Sequence, residues 1–444
     1  MIESIIQGGE SQDLEFKREL PNKDKKVMKT VVAFANGSGG RIIFGVENET
    51  LNIVGVEDSA RAGMQDMLTN MISDTCAPQI IPSYSWYTVR GKSVLVLNVP
   101  ISPQCPYYIK SEGPVKGVYI RVGATTRVAG AEQVLELQLR GQNRSYDEIV
   151  EQAVPCATAD EISKLCTEIA EYNGEPEKPV GINQLISWKL LKRQDDKLLP
   201  TNAFRLLTGS SIYFSGIQCA VFQGTEKVDF LDRKEFRGPV YEQLENAQHF
   251  LMQYLRCPAE ISGLRRKDVY ELPIIALRET LANAIIHRNY LIPAYIQVSV
   301  FDDRVEIMSP GELYDNMTIE EMMSGVSRLR NKLLADVFHR MKIVERWGTG
   351  IWRVRTACEN AQVALPVYTL IGNSFKVTFS RVSLKTKPNR VSHHRRPLKR
   401  DELMLQFVRN NPDASFQQIA DEFGVSVSTA WRFVQAMRKE GKLW

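Results

Sequence analysis

The chain has 444 residues, 43% of them hydrophobic and 24% charged, so it is too long for one hydrophobic core and has a globular composition. No apolar run approaches the roughly 18–20 residues that a membrane span needs, which argues against a membrane partner. The seven cysteines include no C-x-x-C pair, a pattern that argues against a zinc site or disulfide framework and indicates a cytoplasmic protein.

Residues 1–145 alternate helix-like and strand-like runs, which predicts an α/β domain. Near its start, ESQDLEFK at 10–17 places Glu10 and Glu15 close together. Two carboxylates can hold a divalent ion against a phosphate. They can equally pair with basic residues and brace the fold, the candidate partners being Lys17, Arg41 and Arg121. The residue types alone leave both alternatives open.

Three separated motifs resemble the AlbA-type domain of Schlafen proteins: ESQDLEFK at 10–17, FANGSGGRIIFGVEN at 34–48 and GVYIRVGATTRVAG at 117–130. The resemblance implies a small nucleic-acid-binding domain. In the nuclease members of that family, two glutamates and a later acidic residue bind Mn²⁺ or Mg²⁺ that activates water.

Glu10 and Glu15 match the first two positions of that family's metal site. Asn48 aligns with the third, while Glu47 lies one place early and so belongs to the opposite face of a strand. We therefore expect a domain that holds DNA or RNA without cutting it, with cleavage by Glu10, Glu15 and Glu47 as the alternative. The basic residues expected to contact nucleic acid are Lys17, Arg41, Arg121 and Arg127.

Residues 146–265 read as a connecting α+β region, and 266–380 as a further α/β domain. In RETLANAIIHRNY, Glu279, Asn283 and His287 fall on one face of an apolar helix, where polar side chains are costly unless they bind something. Later, ERWGTGI places Gly348, Thr349 and Gly350 at the start of a helix, whose N–H groups can hold phosphate oxygens.

These two motifs, in this order, resemble the ATPase fold shared by gyrases, heat-shock-90 chaperones and histidine kinases. The resemblance implies an α/β sandwich that binds ATP and Mg²⁺. It implies that Glu279 is the general base, that Asn283 holds Mg²⁺ and that Gly348–Gly350 form a lid over the phosphates, with His287 nearby. Where the family has an adenine-binding aspartate, SPGEL here supplies Ser309, and Gly311 is retained. Binding without efficient hydrolysis is expected, and loss of the ligand with a purely scaffolding or dimerising role is the alternative.

Residues 381–400 hold eight Lys and Arg and no Asp or Glu, which predicts a basic linker that either attracts phosphate or serves only as a hinge. Residues 401–444 resemble the helix-turn-helix of bacterial transcription regulators. Gly424 forms the turn and Ser426 caps the second helix. The alternative is a helical piece that packs against a partner protein. The side chains expected to face DNA are Ser428, Trp431, Arg432 and Gln435.

The sequence thus predicts an α/β multidomain protein: an AlbA-like domain at 1–145, a connecting region at 146–265, a divergent ATPase-like domain at 266–380, a linker at 381–400 and a helix-turn-helix at 401–444. We expect a nucleic-acid-binding transcriptional regulator that senses nucleotide and forms a homo-oligomer. The alternative is a metal-dependent Schlafen-type nuclease, in stress or phage defence, that the ATPase-like domain controls.

Overall fold

A computed structural model describes most of the chain. It covers residues 2–19, 25–101, 104–150, 155–174, 176, 180–210, 215–257, 259–262, 265–268, 270–345, 348–381, 404–405, 407–409, 411–412 and 414–439. Apart from Arg381, the predicted basic linker lies outside the described residues. The chain divides into two compact units, Met1–Ser145 and Tyr146–Trp444. Within the described ranges, no helix is both long and apolar enough to cross a membrane.

The first unit is built around a four-stranded sheet in the order β1-β2-β5-β4. In chain order its described elements are α1 (Ile2–Gln7), β1 (Leu14–Lys17), α2 (Lys25–Asn36), β2 (Gly40–Phe44), α3 (Asp58–Thr75), β3 (Cys76–Ala77), β4 (Ser83–Val89), β5 (Lys92–Val99), β6 (Tyr108–Ile109), α4 (Gly113–Lys116), β7 (Tyr119–Val122), β8 (Thr125–Val128) and α5 (Ala131–Gly141). Strands β1 and β2 are parallel, so the chain must cross over between them, and α2 lies in that crossover.

Side-chain alternation along β2 explains why this sheet is covered on both faces. Ile42 and Phe44 join one core with residues of α2 and α3, and Ile43 joins a second core with Ile6 of α1 and Val94 of β5. Successive residues of a strand point to opposite faces, so the run of apolar residues fills both cores. The sheet therefore fixes the position of β1, which carries Glu15 and Lys17.

The second unit is built around a six-stranded sheet in the order β12-β11-β15-β16-β18-β17, in which only β11 and β15 pair in parallel. Its described elements up to the sheet's last strand are a 3-10 turn at Tyr146–Glu148, α6 (Ala159–Tyr172), α7 (Ile182–Ser187), β9 (Leu191–Gln194), β10 (Lys197–Pro200), α8 (Asn202–Thr208), β11 (Ile217–Phe222), β12 (Phe230–Phe236), α9 (Val240–Tyr254), β13 (Ala259–Ser262), β14 (Arg265–Asp268), α10 (Ile274–Ile286), β15 (Ile296–Val300), β16 (Arg304–Pro310), a 3-10 turn at Tyr314–Asn316, α11 (Ile319–Met323), α12 (Lys332–Arg340), α13 (Gly350–Asn360), β17 (Val367–Ile371) and β18 (Ser374–Ser380).

The hydrophobic core around this sheet includes residues of 146–265, the region that the sequence analysis assigns to a connection. Strands β11 and β12 belong to the same sheet as β15–β18, and α6, α8 and α9 contribute to the same hydrophobic core as α10. Residues 146–265 are therefore packed as part of the ATPase-like body, and α10 lies among their helices.

Two C-terminal helices complete the second unit, α14 (Phe416–Phe423) and α15 (Val427–Lys439). Ser415 caps α14, and the Ser426 hydroxyl accepts from the backbone N–H of Thr429 at 3.1 Å, as predicted for the start of the second helix. Gly424 between them has φ +55°, a left-handed conformation that favours glycine. The helix-turn-helix geometry expected from the sequence is present.

Candidate functional site

The N-terminal carboxylates form one candidate site. Glu10 Oε2 accepts a hydrogen bond from the Asn48 amide Nδ2 at 2.8 Å. Glu47 turns elsewhere, accepting from Arg18 Nη1 at 3.0 Å and from the Thr50 hydroxyl at 2.6 Å. The structure therefore places Asn48, the residue that the sequence analysis aligns with the third carboxylate, beside Glu10, whereas Glu47 pairs elsewhere.

Glu15 is held by two cations. Lys17 Nζ lies 2.5 Å from its Oε1, and Arg121 Nη1 lies 2.8 Å from its Oε2. The Arg121 side chain is only 4% exposed, also donates to the carbonyl of Ser11 and stacks over the ring of Phe34. This buried pair ties β1 to β7, as the bracing alternative expects.

Of the basic residues expected to contact nucleic acid, Arg121 is thus buried, whereas Arg41 and Arg127 are less enclosed. Arg41 Nη2 lies 3.7 Å from Asp13, and Arg127 is exposed on β8. In the part of the chain that the structure describes, no group of three or more His, Cys, Asp or Glu side chains is placed to hold a metal ion. Glu10, Glu15 and Glu47 are thus not brought together.

A cavity of about 520 Å³ forms the second candidate site, in the second unit. Helices α10, α12 and α13 and strands β16, β17 and β18 contribute to its walls. The strands supply apolar side chains such as Tyr368, Phe375 and Val377, and α10 supplies polar ones. An apolar cavity of this size with a few polar groups is typical of a small-molecule site.

The first turn of α13 packs directly onto the polar residues of α10. A Cβ at position 350 would lie 2.5 Å from Glu279 Oε1 and 3.1 Å from Asn283 Nδ2, so a larger residue would displace these two side chains. Gly348 also lines the cavity, whereas the Thr349 hydroxyl donates to Glu345 at 3.3 Å. Two motifs about sixty residues apart in sequence therefore meet at one place.

Glu279 is a buried carboxyl, 5% exposed, that faces a cation. Burial raises its pKa, and the guanidinium groups of Arg353 and Arg278 oppose the rise. Arg353 Nη1 lies 3.7 Å from Glu279 and 3.5 Å from Glu345. Arg353 was not predicted from the sequence. It follows Gly350 by three residues, so helical spacing from the glycine motif was the available signal.

Ser309 lies on the cavity wall, and its hydroxyl donates to the carbonyl of Ala284 at 2.8 Å. That bond joins β16 to α10 and leaves the oxygen lone pairs as acceptors. Gly311 follows with φ +107°, and a Cβ there would lie 2.1 Å from Arg330 Nη1. Glycine at this position therefore leaves room for the Arg330 guanidinium.

His287 lies at the end of α10 and also lines the cavity. Burial, with a contribution from Arg330, lowers the pKa of His287 to about 4. At neutral pH this imidazole is uncharged, so it can exchange hydrogen bonds with a ligand but adds no positive charge beside a phosphate.

The helix-turn-helix contains the third set of predicted residues. Trp431, Arg432 and Gln435 are half-buried on α15. The prediction that Ser428 faces outward is wrong: it is 2% exposed, and its hydroxyl lies 2.9 Å from that of Ser426. The physical reason is that Ser428 lies in the hydrogen-bonded cap at the start of α15, and the side chains of this cap are buried.

Family comparisons agree with these three regions. Residues 10–130 match the model "Schlafen, AlbA_2", and residues 294–379 match "Putative ATP-dependent DNA helicase recG C-terminal". Residues 398–443 match "Winged helix-turn-helix DNA-binding". The second match begins after α10 and so does not include Glu279 or Asn283. The roles expected for these two residues therefore depend on the cavity geometry described above. No curated protein matches the chain significantly.

The solved structures that are similar to the chain include the following two. The DIP2311 protein from Corynebacterium diphtheriae is 21% identical with a TM-score of 0.46, the match covering 98% of this chain and 92% of that one. The N-terminal domain of a RecG-related protein from Nitrosomonas europaea is 24% identical with a TM-score of 0.22, covering 29% of this chain and 91% of that one. At these values neither likeness carries an argument about function.

Along the sequence, two domain types that bind nucleic acid therefore precede and follow an ATPase-like region. The chain carries, in order, a Schlafen AlbA-type domain, a divergent ATPase-like domain of the histidine-kinase and gyrase type, and a C-terminal helix-turn-helix.

Proposed function

We propose that this protein is a transcriptional regulator that binds DNA and senses ATP with Mg²⁺ in the cavity of its second unit. The observation that supports nucleotide binding best is the close approach of Gly350 to Glu279 and Asn283. A backbone turn at the start of a helix, placed against a carboxylate and an amide, suits a phosphate chain with its divalent ion.

Each cavity residue has a role in this proposal. The Asn283 amide oxygen would hold Mg²⁺, and the N–H groups of Gly348 and Gly350 would face the phosphates. The Ser309 oxygen would accept a hydrogen bond from the adenine amino group, while apolar side chains such as Val377 would cover the purine ring. The bound Mg²⁺ would supply positive charge for the phosphates.

Slow turnover follows from two departures. Ser309 lacks the negative charge that strengthens a hydrogen bond from the amino group. Arg353 competes for Glu279, because the guanidinium lies within 3.7 Å of the carboxylate that would otherwise accept a proton from water. The proposed site binds nucleotide and releases it largely unchanged.

Thermal unfolding with and without ATP and Mg²⁺ tests the cavity. A ligand that binds only the folded protein stabilises it by about 2.7 kcal/mol at 100 times its Kd, so the melting temperature should rise. Asn283→Ala should abolish the rise. Asn360→Ala, the same change at an exposed position at the end of α13, should keep it. The absence of any rise in wild type at millimolar ATP would exclude nucleotide sensing.

For the first unit, we propose nucleic-acid binding without cleavage. The support is that an amide, Asn48, stands beside Glu10 and that Glu15 is neutralised by Lys17 and Arg121. A metal-dependent nuclease would need these carboxylates to be available to a cation. Incubating the wild type with single-stranded RNA and Mn²⁺ distinguishes the two functions, since this proposal expects bound but intact RNA.

A further inference from the structure

The helix of the helix-turn-helix that is expected to contact bases is docked on a negatively charged surface of its own chain. Arg432 of α15 lies 3.0 Å from Glu171 and 3.5 Å from Glu168, both on α6. The same guanidinium lies 5.7 Å from the ring centroid of Tyr172, within the range of a cation–π contact. Arg432 is consequently only 36% exposed.

A hydrogen bond extends this contact to α9. The Thr429 hydroxyl donates to Glu245 Oε1 at 2.9 Å, and the same carboxylate oxygen accepts from the Tyr172 hydroxyl at 2.6 Å. We call Glu168, Glu171 and Glu245 the acidic seat. It provides carboxylate oxygens to side chains of α15, as a DNA backbone would provide phosphate oxygens.

The turn of the motif is fixed to the same body. Gln248 Nε2 of α9 donates to the carbonyl of Phe423 at 3.3 Å. A Cβ at Gly424 would lie 2.1 Å from Gln248 Nε2 and 2.7 Å from Ile274 Cγ2. The turn therefore lies against α9 and α10, where a side chain at position 424 would displace Gln248 or Ile274.

We propose that the acidic seat competes with DNA for α15, so that the docked helix-turn-helix cannot bind DNA until α15 leaves α6 and α9. This inference rests on the proposed function in one respect, namely that α15 is the helix that contacts bases. Arg432 cannot reach a phosphate or a base edge while it is paired with Glu168 and Glu171. The acidic seat thus lowers DNA affinity by reducing the fraction of molecules in which α15 has left α6 and α9.

The proposal predicts how strongly affinity depends on the seat. When only a fraction of molecules is competent to bind, the apparent Kd equals the intrinsic Kd divided by that fraction. The double variant Glu168→Gln and Glu171→Gln keeps the side-chain size and removes both charges. Its affinity for a fluorescent duplex of mixed sequence should rise roughly five- to twenty-fold if docking dominates in the wild type. Hydrogen exchange of residues 427–439 should become faster at the same time.

Two further variants make the result specific. Asp195→Asn with Asp196→Asn removes the same two charges from the exposed β9–β10 turn and should change neither measurement. Thr429→Val loses the hydrogen bond to Glu245 without any change of charge. It should shift both measurements in the same direction by a smaller factor, and it provides the test if the double glutamine variant does not fold.

Each negative outcome has a definite meaning. Unchanged exchange in the seat variants would show that the seat does not hold α15, and the proposal would be wrong. Faster exchange with unchanged DNA affinity would also overturn it. Hydrogen exchange of that variant with added DNA then separates the two explanations. Slower exchange of residues 427–439 when DNA is bound would mean that α15 binds DNA and that only the competition with the acidic seat is absent. No protection would mean that the proposed DNA-binding role of α15 itself fails.

Discussion

Replacing Asn48 with aspartate tests whether the first unit has lost a metal ligand, as expected for a domain that binds nucleic acid without cutting it. The Asn48 amide now donates to Glu10 at 2.8 Å, so the variant would place two carboxylates in contact. At about 4 Å, two like charges repel by about 1 kcal/mol in water and about 4 kcal/mol near a protein surface. Since Asn48 is exposed and Glu10 half-buried, we expect a loss of about 1–2 kcal/mol without metal.

Differential scanning calorimetry with and without Mn²⁺ measures this effect. The variant should melt roughly 3–6 °C lower than the wild type without metal, given the size of the first unit. Mn²⁺ should reverse the loss, because a divalent ion between the carboxylates removes their repulsion. Asn52→Asp, the same change at an exposed position of the same loop, should show no such response to metal.

The result that would refute the reasoning comes from the wild type. Cleavage of single-stranded RNA by wild-type protein with Mn²⁺, abolished in Glu15→Ala, would mean that Asn48 is no lost ligand and that Glu15 leaves Lys17 and Arg121 to bind metal. An Asn48→Asp variant as stable as wild type and indifferent to Mn²⁺ would show that residues 10 and 48 are not in contact.

Two further predictions concern the cavity. The pKa of His287 is about 4 in the folded protein and about 6.5 in the unfolded chain. As pH falls, the unfolded chain therefore takes up the proton first, and the stability present above pH 6.5 is lost as pH falls towards 4. Between pH 7.5 and 5.0 this loss is at most about 2 kcal/mol, since water in the cavity would reduce it; urea unfolding should show it in wild type and His249→Gln but not in His287→Gln. An ionised aspartate at position 309 cannot donate to the Ala284 carbonyl, so Ser309→Asp should lower the free energy of unfolding of the free protein by about 1–3 kcal/mol. It should nevertheless enlarge the increase in melting temperature that ATP causes. A smaller rise would show that Ser309 has only a structural role.

Local patterns in the sequence were sufficient to find the elements that carry the candidate residues. The apolar spacing of α10 placed Glu279 and Asn283 on one face, and the cap at Ser426 marked the start of α15, because both depend on residues a few positions apart. The approach of Gly350 to α10 was inferred only through a family resemblance, since no local rule joins segments so far apart.

Contacts made by tertiary packing were missed. The sequence assigned residues 146–265 to a connection, but β11 pairs with β15 in the sheet, and its strand pattern alone carries no information about its partner. The pairing of Glu15 with Arg121, across 106 residues, was one of two alternatives that the sequence left open, and that of Arg432 with Glu171, across 261, was not predicted. Charged residues in such patterns look like solvated surface until the fold brings them together.

Helix α10 offers a physical route between the two proposed ligand sites of the second unit, the cavity and the helix-turn-helix. Its first residue, Ile274, lies against the turn at Gly424, and Glu279 and Asn283 line the cavity five and nine positions later. A nucleotide can change docking at the acidic seat only by as much as its affinity differs between docked and released states. If α10 shifts when the first turn of α13 opens to admit phosphates, Ile274 moves with it and changes the packing against the turn at Gly424. Nucleotide binding would then favour release of α15, and by reciprocity DNA would tighten nucleotide binding by the same factor.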